Sequence, residues 1–186
     1  MISGFFGRSR ADERSARDLY TTIVAQARQP ALYERFAVPD TVEGRFEMIV
    51  LHTVLLLHRL RREGREGQDL AQRVFNLFVA DMDESLREMG VGDLGVPKRM
   101  KAVGRSFYGR IDAYGKPLVE LDRLKLAEAL QRNLYPADLE TPARTELLAD
   151  YAMEAGASLN GISFIELKSG KIELPQPGGE TKEGIV

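Results

Sequence analysis

The chain has no cysteine, which removes disulfides, thiolate nucleophiles, iron–sulfur clusters and cysteine-ligated zinc together. Histidine is nearly as scarce, with His52 and His58 the only two in 186 residues. Six positions apart on a helix, they point about 120° apart around the axis, whereas a zinc pair on one helix needs a spacing of three or four. Both therefore read as packing or surface residues, and no metal is expected. A strong excess of charge of one sign is also missing. The formal net charge is -2, which argues against a nucleic-acid surface spread over the whole molecule, although a local basic stripe is compatible with it. No hydrophobic run is long enough to span a bilayer, which takes about 20 apolar residues. The most apolar stretch, Phe46 to Leu57, is interrupted by Glu47 and His52 and reads as a buried core helix. The opening MISGFFGRSR carries no apolar core behind its charges, so a secretory signal is not expected. Phe5 and Phe6 beside Arg8 and Arg10 could touch a membrane interface, but the stretch is short and reads better as disordered. The expectation is a soluble chain that at most rests on a membrane surface.

What is present is an ordinary globular composition, 44% hydrophobic and 29% charged, enough for one domain with tails. The spacing predicts an all-α bundle of about six helices. The first covers Asp12 to Arg28, closed by Pro30, with a short turn after it carrying Leu32, Tyr33 and Phe36. A central helix starts at Asp40 or Thr41, with Glu43 in a capping-box position for Asp40, and runs to Arg62. A third spans Gln68 to Gly90, the glycine serving as a left-handed stop. A fourth runs from Pro97 to Tyr114 with Gly115 after it, and a fifth from Leu118 to Leu134, which Asp122 caps or kinks. The sixth starts at Thr141 and Pro142 and continues to Ala157. Beyond it, Ser163–Leu167 and Lys171–Leu174 flank Ser169-Gly170 and read as a small C-terminal β-hairpin before a loose tail. The expected organisation is a flexible N-terminus over 1–11, a helical domain over 12–160, and the hairpin and tail over 161–186.

Several motifs fail on inspection. Gly90 to Gly95 spells GxGxxG, but the dinucleotide fingerprint needs a strand leading into the glycines and a helix receiving the pyrophosphate. Here a helix leads in, so the glycines read as a tight interhelical turn. Asp81, Asp83 and Glu84 suggest an EF-hand, yet the positions that require glycine and glutamate hold Leu86 and Gly92. No serine, threonine or lysine sits in a nucleophile signature, and neither an enzyme nor a cofactor is expected.

Three features carry information. Asp81 falls among Leu70, Val74 and Leu77 on the wheel of the third helix, where a carboxylate must be paired; Arg105 or Arg110 is the expected partner in a structural ion pair. The fourth helix turns Val96, Met100, Val103, Phe107, Ile111 and Tyr114 inward. Lys98, Lys101 and Arg105 form a stripe to one side, either a solvated face or an electrostatic dock for ribosomal RNA, anionic lipid or an acidic partner. Met82, Met89 and Met100 gather along this hairpin. Thioethers suit adaptable apolar surfaces, and they equally fill gaps in cores. With Phe75 and Tyr108, they form the candidate client-binding set.

The stretch VFNLFVADMDESLREMGVGDLGVPKRMKAVGRSFYGRIDAYG, Val74 to Gly115, resembles the signature block of the ubiquinol–cytochrome c chaperone family. The upstream VEGRFEMIVLHTVLLLHRLRREG and the later LQRNLY around Asn133 resemble flanking family blocks, so the resemblance covers most of Leu19 to Tyr135. It implies a helical assembly chaperone of the cytochrome bc1 complex, with no catalytic residues to transfer. It also implies newly made cytochrome b as client, and the ribosome and a small partner protein as further contacts. By motif position, functional constraint is expected in Asp81–Arg87, Gly90–Gly95 and Lys98–Arg110. The short N-terminus suggests a bacterial member, cytoplasmic or peripheral on the inner membrane, with no sequence-specific nucleic acid. The expected mechanism is a groove beside the third and fourth helices that shields a transmembrane segment. The alternatives are an adaptor docking ribosome or membrane through the basic stripe, and an enzyme or ligand-binding protein built around a deep polar pocket.

Overall fold

The computed structural model describes residues 3–135 and 142–178, with side chains from residue 10 onward. Among them are eight helices and no strand: α1 (Ser3–Ala27), α2 (Pro30–Phe36), α3 (Val42–Leu60), α4 (Gly64–Glu88), α5 (Val96–Glu120), α6 (Arg123–Leu134), α7 (Pro142–Gly161) and α8 (Phe164–Lys168). A single 3-10 turn, Arg61–Glu63, joins α3 to α4. Helix α1 begins at Ser3 rather than near Asp12, so the segment expected to be flexible is helical from that point. No proline precedes Pro30, and nothing in the backbone stops the helix from running back.

Helix α3 is the axis of the bundle and packs against α1, α4, α5, α6 and α7. Every residue from Glu47 to Leu57 is buried, which explains why apolar residues cover its whole circumference. Thr41 is its cap, accepting from the Gly44 backbone N–H at 3.1 Å, while Asp40 instead pairs with Arg45 at 2.6 Å. A Cβ on Gly44 would come within 1.9 Å of the Pro39 carbonyl oxygen, so only glycine lets the incoming chain lie against the first turn.

Polar groups inside this axis are paired. His52 is buried, donating from Nδ1 to the Met48 carbonyl at 2.7 Å and accepting at Nε2 from the Tyr151 hydroxyl at 2.7 Å. The tautomer follows because a carbonyl can only accept. Gln26 of α1 donates to the same Tyr151 hydroxyl at 2.9 Å, so the network ties α1, α3 and α7 together. Burial pushes the His52 imidazole down to about 4.

Two sequence expectations are corrected here. Helix α5 does not stop at Gly115 but passes through it and through Pro117 to Glu120. Tyr114, Pro117 and Leu118 are all buried, and packing of that face outweighs the hydrogen bond that proline removes. The break comes at Leu121, with φ 54°, and Asp122 then caps α6 by accepting from the Lys125 N–H at 3.0 Å. The C-terminal β-hairpin is not formed. Ser163 and Glu166 make a reciprocal capping box that starts α8, and residues 171–178 form no strand. The segment before the Ser169-Gly170 turn is also S-x-x-E, and the local cap prevailed. Thr141 and the end of the tail lie outside the described residues.

Candidate functional site on the helix 4–helix 5 hairpin

The hairpin is built from its turn outward. Gly90 has φ 83°, and the Val91 N–H donates to the Leu86 carbonyl at 3.1 Å while Gly90 donates to Arg87 at 2.9 Å. This is a Schellman stop, and it settles the GxGxxG motif as an interhelical turn. Arg87 clamps the same turn, donating to Asp83 at 2.7 Å and also to Asp93.

Inside the hairpin an aromatic cluster closes the core. Phe78 and Phe107 are fully buried with ring centroids 4.7 Å apart, and Phe75 lies 5.1 Å from Phe107 and 6.0 Å from Tyr108. Edge and tilted contacts of this kind add about 0.5–1.5 kcal/mol beyond area burial. The cluster is not sealed on its outer side. A trough of about 360 Å³ opens between the end of α3, α4 and the middle of α5, with Leu57, Arg61, Gln72, Phe75, Tyr108 and Ile111 on its walls. Tyr108 is 59% exposed at its rim.

The sequence-derived client set therefore divides. Phe75 and Tyr108 line the trough. Met82 is only 7% exposed and packs in the core. Met89 is exposed at the turn and Met100 is half-buried, and neither lines the trough. Lys98, Lys101 and Arg105 are exposed on α5, and among the described residues no carboxylate pairs with any of them.

The expected ion pair of Asp81 is corrected. Asp81 accepts a hydrogen bond from the Tyr20 hydroxyl of α1 at 2.6 Å, and burial together with this carboxylate pushes the phenol well above its ordinary range. Arg110 is committed elsewhere. It grips Glu47 of α3 through two hydrogen bonds, Nε to Oε2 at 3.0 Å and Nη2 to Oε1 at 2.5 Å. Burial pushes the Glu47 carboxyl up and Arg110 pulls it back. The sequence carried a signal for this pair: a glutamate inside an otherwise apolar run must have a partner.

A larger concavity of about 990 Å³ lies between α6 and α7, where Leu124, Ala127 and Tyr135 meet Pro142. Tyr135 and Pro142 flank the undescribed segment. Among the described residues, no group of three or more His, Asp or Glu side chains could hold a metal. No described helix is long and apolar enough to cross a membrane.

Comparison with known proteins gives a consistent result. The chain is similar to the crystal structure of the Cbp3 homolog from Brucella abortus, with TM-score 0.85 and 44% identity, covering 95% of this chain and 98% of that one. It is 28% identical over 137 residues to ubiquinol-cytochrome-c reductase complex assembly factor 1 of Xenopus laevis, covering 74% of this chain and 68% of the relative. The Homo sapiens protein of that name is 29% identical over 137 residues, and the chain spans 46% of its length. The family model described as ubiquinol-cytochrome C chaperone matches residues 34–174. The trough and the α4–α5 turn fall within that match, and the chain belongs to the ubiquinol-cytochrome C chaperone family.

Proposed function

We propose that this protein is an assembly chaperone of the cytochrome bc1 complex that holds newly made cytochrome b while its partners and cofactors are added. The observation that carries the reading is the open aromatic trough on the hairpin, in a family whose relatives are named as assembly factors of that complex. Phe75 and Tyr108 supply the apolar contact, and an apolar helix laid across them is shielded on one side. Deleting the gene in a host that contains a bc1 complex is expected to lower cytochrome b, and the tagged protein is expected to co-purify with it. Normal cytochrome b levels and no co-purification would remove the reading.

A second reading is favoured by the unpaired cations. An adaptor that docks a ribosome or an anionic membrane surface at the cytoplasmic side would use Lys98, Lys101 and Arg105 without holding a client. Release by salt, with no association with cytochrome b, supports this reading against the first.

A further inference from the structure

Helix α5 has an exposed face whose character changes along its length. At about 100° per residue, Lys101, Arg105, Tyr108, Asp112 and Val119 fall on one side of the helix, with Lys98 beside them. The face begins with the cations Lys98, Lys101 and Arg105, which no described carboxylate neutralises. It passes the trough rim at Tyr108, then Asp112, exposed and likewise without a described cationic partner. It ends in an apolar patch at the turn into α6, where Val119 is 63%, Leu121 78% and Leu124 62% exposed. The lysines around that patch are already neutralised: Lys125 pairs with Asp122 at 2.6 Å, and Lys116 lies 3.8 Å from Glu120.

Two further observations mark the apolar end as a contact. Leu121 holds φ 54°, the left-handed conformation that ends α5 and suits glycine better than leucine, and its side chain is 78% exposed, so the helix stop does not call for a leucine there. A Cβ on Gly109 or Gly115, flanking the face, would meet nothing within 4 Å, which leaves room for another helix to approach closely.

We infer that this face fixes the direction in which an apolar helical segment is held. Lys98 to Val119 spans about 30 Å, the length of a membrane-spanning helix of about 20 residues. Membrane helices carry their lysines and arginines mainly at one end. The positive end of α5, reinforced by the helix dipole, repels that end. The bound helix lies with its cation-poor end at Lys98–Arg105 and its cation-rich end at Asp112–Leu124. This inference rests on the holding function proposed above and adds its polarity.

The test uses the full chain with a photo-crosslinking residue, p-benzoylphenylalanine, placed at Lys101 or at Val119. The ligand is a synthetic apolar helix in detergent bearing two lysines at one end and two glutamates at the other. The Lys101 probe is expected to capture the glutamate end, and the Val119 probe the lysine end, each by about fivefold over the opposite end. High salt should erase the preference while capture persists. In the Val119 probe, adding Lys98→Glu with Arg105→Glu should invert it. Equal capture of both ends at both probes overturns the polarity and leaves holding intact. No capture at either probe removes both.

Discussion

Tyr20 of α1 donates its hydroxyl to Asp81 of α4 at 2.6 Å, and this bond, rather than an arginine of α5, anchors the hairpin helix to the bundle. It leaves α5 joined to the axis by the Glu47–Arg110 grip and to α4 by the aromatic cluster. The trough lies beside the second of these joints.

Tyr20→Phe removes the donor and leaves the carboxylate without its partner. A hydrogen bond to a charged group is worth about 1.5–3 kcal/mol, and denaturant unfolding should show a loss of that size. Asp81→Asn in the Tyr20→Phe background should add little further loss, because the interaction is already gone.

Arg110→Met strands a buried carboxylate and is expected to cost about 3 kcal/mol. Replacing both partners, Glu47→Leu with Arg110→Met, should recover much of that loss, since apolar groups of similar volume fit such a site. Unfolding curves of the two single variants and the double variant decide the point. A double variant as unstable as the sum of the singles contradicts the pairing.

His52 sets an acid limit on stability. Its folded pKa, about 4, lies below the ordinary value of 6.5, so the unfolded chain binds the proton more readily. The contribution is complete above pH 6.5 and is lost as pH falls toward 4, up to about 3 kcal/mol. His58 is also pushed down, by burial first and then by Arg62 and Arg61, and acts in the same direction. The difference between the parent and His52→Gln isolates His52: the variant's stability should vary less between pH 6.5 and 4.

Much of the fold could be read from particular residues. Pro30 parted α1 from α2, Thr41 capped α3, and Gly90 stopped α4, because each acts through its own backbone and its immediate neighbours. The errors came where a distant contact or a competing local signal decided. Gly115 and Pro117 spell a helix end, but buried Tyr114 and Leu118 carry α5 onward. Ser163–Leu167 and Lys171–Leu174 flank Ser169-Gly170 like hairpin arms, and the Ser163–Glu166 cap turned the first of them into helix. For the site, periodicity turned Phe107 inward on its helix. It could not show that Met82 is sealed while Tyr108 is open, nor that Arg110 belongs to Glu47, since those facts depend on how three helices meet.

Leu121→Gly relieves a left-handed strain at a position where the side chain makes no burial gain. The fold should become more stable by about 1 kcal/mol, measured by thermal unfolding, while capture of an apolar helix weakens. Stability and binding moving together in the same direction would show that Leu121 serves the fold alone.

The central claim is that the trough beside Phe75 and Tyr108 receives cytochrome b. Photo-crosslinking residues at Phe75, at Tyr108 and at Ile165 of α8 in a bc1-containing cell address it directly. Cytochrome b captured from the first two positions and not from Ile165 is the expected result. Capture from Ile165 alone, or from none of the three, would contradict it.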